Sequence, residues 1–278
     1  MIIDLHTHTN ASDGTLSPEQ LIHKAVNCGV RLLSITDHDS IAGIKRATEA
    51  VKNYRIDFIP GVELSADYEQ DELHILGYFI NPDNPEFSNA LESLRVERME
   101  RIDKILAKLE EFGVNPGRAN VDKFAEGESI GRPHIARAMQ EAGFVGSVYD
   151  AFQKYLKKGC PCYVPRRKLT PAQTVKLISD TGGIPVAAHP GLMNNFTGVF
   201  KELMDAGLKG IEAFHPEHTV QQMDYFFQLA KENNLIVTAG SDYHGPVPGK
   251  ISSLGMTGLS NEVIQEIYNL YHKMNKTN

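Results

Sequence analysis

The sequence predicts an α/β fold, a parallel sheet or barrel carrying a helical insertion, and three observations point to it. Short apolar runs alternate with helical patterns in the first 80 residues and again after residue 170. Between them, residues 81–165 hold several helical patterns and no convincing strand. The composition is that of an ordinary globular chain, with 41% hydrophobic and 23% charged residues among 278.

The elements follow in order. Ile2 to Leu5 reads as a short apolar strand. Ser17-Pro18-Glu19-Gln20 has the pattern of a helix start, with Ser as N-cap and Pro in the first turn, and Leu21, Ala25 and Val26 continue at helical spacing. Gly29 ends that helix. Leu32 to Thr36 is the second strand and Ile41 to Asn53 the second helix; Phe58 to Leu64 and Leu73 to Phe79 are two further strands. Asn81-Pro82-Asp83-Asn84-Pro85 opens the insertion and Cys160-Pro161-Cys162-Tyr163-Val164-Pro165 closes it. Alternation then resumes: a helix over Pro171 to Ser179, a strand over Ile184 to Ala188 and a helix around Phe200 to Met204. A strand over Gly210 to Phe214, a helix over Thr219 to Asn233, a strand over Leu235 to Ala239 and a last helix over Asn261 to Lys273 complete the chain. The division expected is a discontinuous barrel of residues 1–80 and 166–278 with a helical insertion at 81–165. Function in such a fold is expected at the carboxyl ends of the strands.

Charge and composition narrow the function. A net charge of −7 argues against broad binding to duplex DNA, which needs a basic face. No run approaches the roughly 20 apolar residues of a membrane span. The first residues lack the basic start and apolar stretch of a signal peptide, so a cytoplasmic location is expected. Three cysteines cannot build a disulfide framework. Cys160 and Cys162 read as packing residues and Cys28 as part of a helix core.

The chemistry lies in the 11 histidines and their carboxylate neighbours. His6 and His8 follow the first strand two residues apart, so strand alternation points them to one side. Asp13 stands in the next loop. Asp37 and His38 follow the second strand, Glu63 ends the third and His74 lies on the fourth. His189 ends the fifth, His215 and His218 follow the sixth, and Asp242 and His244 follow the last. A lone histidine is usually a solvated or hydrogen-bonded residue, and His23 and His272, within helices, are read that way. The recurrence of His, Asp or Glu at successive strand ends is different. Imidazole with carboxylate suits Zn²⁺, Mn²⁺ or Fe²⁺. So many ligands exceed one tetrahedral zinc and suffice for two or three ions sharing a carboxylate.

His6-Thr7-His8, Asp13-Gly14, Thr36-Asp37-His38-Asp39, Gly61-Val62-Glu63, His74, Ala188-His189-Pro190 and Ser241-Asp242-Tyr243-His244 together resemble the polymerase and histidinol phosphatase (PHP) family of metal-dependent phosphoesterases. The resemblance runs through both halves of the chain in order. It implies a distorted (β/α)7 barrel with a trinuclear metal centre and an embedded helical insertion. The insertion is similar to that of a branch hydrolysing nucleoside 3′,5′-bisphosphates, relatives of which trim short RNAs from the 5′ end. The ligand sets it implies are His6, His8, Glu63 and Asp242 for one ion, Asp13, His38 and His244 for a second, and Glu63 as a bridge with His74 and His189 for a third. The reaction implied is phosphomonoester hydrolysis by a hydroxide bridging the ions. Three divalent ions against the carboxylates of Asp13, Glu63 and Asp242 leave a centre near about +3, which reverses the overall acidity locally.

The substrate side is read from the insertion. Arg95 and Arg98 fall within the apolar stripe of Leu91, Leu94, Ile102, Ile105 and Leu109, and Arg101 at its edge, at about 100° per residue. A cation on a core-facing stripe needs a partner. Snorkelling or pairing with a nearby Glu is the plain account; gripping phosphate from the cleft is the functional one. Gly131-Arg132-Pro133-His134 opens another helix, where a free N-terminus and an arginine attract anions. Arg95, Arg98, Arg132 and His134 are thus the candidate substrate residues. His218 is a candidate for substrate contact or for protonating the leaving alcohol, and His215 has no assigned role. Arg166-Arg167-Lys168 reads as a solvated loop. The expected ligand is a small phosphorylated molecule, a nucleotide or short oligonucleotide. The alternatives are a 5′-3′ exonuclease on short RNAs, a phosphatase for a small metabolite such as histidinol phosphate, and a non-catalytic, metal-stabilised binding module.

Overall fold

A computed structural model describes residues 1–68, 71–124, 130–165, 169–246 and 253–276. The chain runs β1 (Ile2–Asp4), α1 (Pro18–Asn27), β2 (Val30–Ile35), α2 (Ile44–Val51), β3 (Asp57–Tyr68), β4 (Asp71–Tyr78), α3 (Pro85–Glu111), α4 (Arg118–Lys123), α5 (Arg132–Glu141) and α6 (Val148–Ala151). After a π-helical turn at Phe152–Leu156 come α7 (Pro171–Asp180), β5 (Ile184–Ala187), α8 (Phe196–Ala206), β6 (Gly210–Phe214), α9 (Val220–Glu232), β7 (Ile236–Ala239) and α10 (Asn261–Asn275).

The seven strands lie in one sheet in chain order. Backbone bonds also join its two edges: Leu5 N donates to Ala239 O at 3.0 Å, His8 N to Tyr243 O at 2.9 Å, and Thr7 bridges Tyr243 in parallel. Helix starts carry the local signals expected. Ser17 Oγ accepts from Gln20 N and the Gln20 side chain accepts from Ser17 N, a capping box that contributes about 1 kcal/mol.

Two features differ from a uniform parallel series. β4 is antiparallel to both β3 and β5. No helix separates β3 from β4, and strands joined without a crossover pair antiparallel. Glu63 also sits in the middle of β3, not at its end, because β3 continues past β2 into a long arm paired with β4. Cys28 is exposed, not in a helix core: α1 ends at Asn27, the left-handed Gly29 turns the chain, and Cys28 falls on that turn beyond the stripe of Leu21, Ile22 and Ala25.

Between residues 81 and 165 the described residues are helical or irregular, with no strand. α3 serves two cores. Its first half adds Phe87, Leu91 and Leu94 to the core packed on the sheet. Its second half adds Ile102, Ile105 and Leu109 to a separate cluster with Val121, Ile135, Met139 and Leu156. Among the described residues, no helix is long and apolar enough to cross a membrane.

Candidate metal centre

The strand ends converge on Glu63. β3 and β4 pair Ser65 with His74, and Glu63 lies two residues from Ser65, so both side chains face the same side of the hairpin. His74 Nδ1 stands 2.8 Å from Glu63 Oε1. Because β4 runs backwards, the start of that strand reaches the mouth that the ends of the others reach. The chain after β2 continues alongside β3, with Asp39 N donating to Glu63 O at 2.8 Å, and this sets His38 Nδ1 2.9 Å from Glu63 Oε2. His6 Nε2 and His8 Nε2 approach the same oxygen at 3.3 and 3.2 Å, and His189 Nε2 approaches Oε1 at 3.2 Å. Asp242 Oδ1 is 3.0 Å from His8 Nε2 and 3.4 Å from His6 Nε2. Asp13 Oδ1 is 3.2 Å from His244 Nε2.

Three sets of ligand atoms lie within 4.8 Å of one another: His8, Asp13, His38 and His244; His6, His8, Glu63 and Asp242; and His38, Glu63 and His74. Eight of the nine sequence candidates fall in these sets. His189 stands beside the third set, sharing Glu63 Oε1 with His74. The fit to metal rests on what these atoms lack. His6 Nε2, both nitrogens of His8, Asp13 Oδ1, His38 Nδ1 and Glu63 Oε2 are buried without a hydrogen-bond partner. Buried polar atoms left unpaired cost about 1–3 kcal/mol each. Such a group, all aimed inward, suits cations in the space they enclose.

The electrostatics agree. Burial alone would raise Glu63, yet the imidazoles of His38, His74 and His6 hold its carboxyl well below the usual range. Burial would lower His8, yet Asp242 and Glu63 raise it to about 10. Without metal, imidazolium protons balance the carboxylates; divalent ions displace them.

Several residues that sequence reasoning missed hold this set in place. Glu212 is fully buried within β6; its carboxylate lies 3.1 and 3.2 Å from His6 Nδ1 and accepts from His189 N at 2.8 Å. It orients the His6 ring so that Nε2 faces the centre. A charged residue inside the apolar run Gly210–Phe214 was the available signal. Asp4 accepts from Ser241 N, Ser241 Oγ and Gly255 N at 2.6–2.9 Å, anchoring the turn before Asp242; burial pushes its carboxyl up to about 6. Asp37 faces away from the cluster and braces the loop carrying Asp13, accepting from Thr9 N, Thr9 Oγ1 and Ser12 Oγ at 2.6–2.7 Å. Asp39, His189 and Asp242 take left-handed backbone angles, φ 49°, 26° and 52°. Strained turns of this kind persist where surrounding bonds over-determine them. Gly240 is required here, since a Cβ would lie 2.2 Å from His6 Cβ and 2.5 Å from Glu212 Oε1.

The insertion closes over one side of the cluster. A cavity of about 130 Å³ is lined by Asp13, His38 and His74 from the sheet side and by Arg98, Arg101, Arg132 and Phe152 from the helical side. Arg98 pairs with Asp39 Oδ2 and reaches Ile130 O. The Arg132 guanidinium sits 5.8 Å from the ring centroids of both Phe152 and Tyr163, and that of Arg101 lies 5.6 Å from Tyr163. Arg101 Nε also donates to Val164 O at 2.8 Å. These arginines are held by aromatic faces and carbonyls. Arg95 lies elsewhere: it is bidentate to Glu92 at 2.6 Å and lines a second cleft. Arg137, from α5, donates to Asp13 O at 3.0 Å and ties the insertion to the ligand loop.

His134 Nδ1 accepts from Gly131 N at 2.9 Å, so its ring caps α5; burial lowers it to about 4. His218 spends both ring nitrogens on backbone, with Nδ1 2.9 Å from Ala213 O and Nε2 accepting from Gly191 N at 3.1 Å. That pairing fixes a neutral tautomer and ties two loops together; it leaves no proton to give a leaving group. His215 Nε2 is buried without a partner, its ring 5.4 Å from that of His189, and burial lowers it to about 4. The Arg166-Arg167-Lys168 run lies outside the described residues.

The chain is similar to known proteins along most of its length. A PHP domain matches residues 4–157. The 5′-3′ exoribonuclease Rnm of Escherichia coli is 35% identical over 254 residues, 89% of this chain and 87% of the relative. A 3′,5′-nucleoside bisphosphate phosphatase of Chromobacterium violaceum is 34% identical over 252 residues, 89% of this chain and 88% of the relative. The crystal structure of a putative metal-dependent phosphoesterase from Bifidobacterium adolescentis superposes with a TM-score of 0.85 at 29% identity, covering 95% of this chain and 94% of the other. With its convergent His/Asp/Glu cluster and these relatives, the chain belongs to the PHP family and is a metal-dependent phosphoesterase.

Proposed function

We propose that the chain hydrolyses the 3′-phosphate of nucleoside 3′,5′-bisphosphates, with His6, His8, Asp13, His38, Glu63, His74, His189, Asp242 and His244 holding two or three divalent cations, Mn²⁺, Fe²⁺ or Zn²⁺. The observation that carries this reading is the adjacency of two features: His, Asp and Glu ligand atoms gathered within 4.8 Å of one another, and a phosphate-sized cavity walled by three arginines. Bound cations supply Lewis acidity toward phosphoryl oxygens and lower the pKa of water.

The chain's own residues do the rest. Glu63 offers both carboxylate oxygens to imidazoles from different strands and so holds the cluster together. Glu212 fixes the ring of His6 and the backbone of His189. Arg98, Arg101 and Arg132 present forked donors to a phosphate that is not being cleaved. A substrate with a second phosphate fits that wall better than a small amino-alcohol phosphate. Water adds to phosphorus, the bond between phosphorus and O3′ breaks, and the alcohol leaves with a proton.

The same cut on a 3′-phosphodiester would release a nucleotide from the 5′ end of a short RNA. The similarity to an exoribonuclease along 89% of the chain favours that second reading. The experiment compares adenosine 3′,5′-bisphosphate, a 5′-phosphorylated short RNA and histidinol phosphate, before and after chelation and with Mn²⁺ restored. Activity is expected to vanish on chelation, to return with Mn²⁺ and to be highest on the bisphosphate. Undiminished turnover in metal-free protein overturns the metal mechanism. Faster turnover of histidinol phosphate overturns the substrate assignment, and silence on all three substrates favours a binding module.

A further inference from the structure

The candidate ligands are held from different sides. Glu212, on β6, faces His6 Nδ1 at 3.1 and 3.2 Å and accepts from His189 N at 2.8 Å. Asp4, on β1, accepts from Ser241 N at 2.9 Å and so holds the turn that carries Asp242. The pairing of β3 with β4 fixes His74. The group of His8, Asp13, His38 and His244 is built differently. Asp13 stands in the irregular loop between β1 and α1. Asp37 braces the stem of that loop at Thr9 and Ser12, and Thr15 N donates to His244 O at 2.9 Å. Asp13 itself is reached from the insertion: Arg137, on α5, donates from Nη2 to Asp13 O at 3.0 Å. Arg137 is half-buried, and its neighbours Ile135, Ala136, Ala138 and Met139 pack into the insertion's own core. It makes no ion pair among the described residues, and it is not among those lining the arginine-walled cavity.

We propose that Arg137 is a positioning residue that sets the affinity of one cation in the cluster, the ion held by Asp13 with His38 and His244. The inference rests on the reading that these side chains hold divalent cations. A guanidinium carries a fixed positive charge. Beside a cation site, that charge by itself repels the ion. The favourable contribution of Arg137 is therefore geometric: its bond fixes the backbone of Asp13 and with it the direction of the carboxylate. Outer partners of metal ligands carry about 10–100-fold of metal affinity. His6, His189 and the turn before Asp242 take that support from carboxylates of the sheet. Asp13 takes part of it from a helix of the insertion. The insertion thus completes one cation site, besides lining the cavity next to it.

Calorimetric titration of the metal-free protein with Mn²⁺ tests this, because charge and geometry predict opposite signs. Asp13→Asn weakens a ligand of that ion alone and so marks the binding step that belongs to it. The measurement is then made on Arg137→Met or Arg137→Gln, whichever keeps the melting temperature of the metal-free wild type. The marked step is expected to weaken at least about fivefold, with the other steps within about twofold. Tighter binding at that step, as loss of a repelling charge alone would give, overturns the assignment. So does any smaller weakening, or a weakening shared equally by every step. Wild-type protein that takes up no Mn²⁺ sinks the cation reading itself, and this inference with it.

Discussion

The two walls of the mouth are built by different means. On the sheet side, each ligand follows or lies on a strand, is buried or half-buried, and is held by backbone pairing or by a second carboxylate such as Glu212, Asp4 or Asp37. On the insertion side, the arginines project from helices across a gap and are steadied by rings, carbonyls and one ion pair with Asp39. Substitutions on the first wall should therefore abolish chemistry, whereas those on the second should change which molecule is accepted.

The largest expected effect is on the sheet wall. Glu63→Gln keeps the shape and removes the charge that at least four imidazoles face. Activity should fall by more than the roughly 10–100-fold that loss of an outer partner costs, with less metal retained by elemental analysis. Glu212→Gln should fall within that range. If Glu63→Gln were as mild as an insertion variant, the contrast between the walls would collapse.

Metal uptake sharpens the same contrast. His8, raised to about 10, carries a proton at neutral pH in the metal-free protein. Binding must expel protons, so apparent affinity should fall as pH drops from 8 to 6, by about tenfold per unit for each proton displaced. Calorimetry in buffers of differing ionisation enthalpy counts those protons; zero release contradicts the assignment.

On the insertion wall, Tyr163→Leu removes the ring shared by Arg132 and Arg101. KM for the bisphosphate should rise about tenfold, the sum of one or two cation–π contacts, with kcat little changed. Tyr163→Phe keeps the ring and should restore KM. An equal loss in both variants would point to folding instead.

Stability should also depend on pH. His134 and His215, each lowered to about 4 by burial, stay neutral when folded but take up protons when unfolded. The unfolded state then binds more protons between about pH 6.5 and 4, so stability falls as pH drops through that window. Asp4, raised to about 6, binds a proton in the folded state first and offsets part of the loss. A net fall of about 4 kcal/mol is expected by chemical denaturation of metal-free protein, and His134→Asn should reduce it.

The smallest effect is expected at His218. His218→Asn should lower stability by about 1 kcal/mol and leave the shape of the pH–rate profile unchanged, since its ring bonds backbone. Loss of one limb of that profile would restore a proton-donor role.

Much of the sheet wall was legible in the sequence. A strand end leaves a local signature, and His6-Thr7-His8 needs only strand alternation to point both rings one way. The insertion wall was legible only in outline. Helical spacing put Arg95 and Arg98 on one stripe, but which faces the cluster depends on where α3 crosses the loop carrying Asp39. The sequence offered His218 for substrate contact or proton donation because its partners, Ala213 O and Gly191 N, are backbone atoms that no residue pattern reveals.

The sequence by itself determined the alternation of strand and helix, the helix caps and which candidate ligands stand near strand ends, because each depends on neighbours a few residues away. Only the tertiary structure decided the reversal of β4, the clamp of Glu212 on His6 and the Arg98–Asp39 bridge. These depend on pairs up to 206 residues apart, as with His6 and Glu212, whose meeting is set by packing and not by local preference.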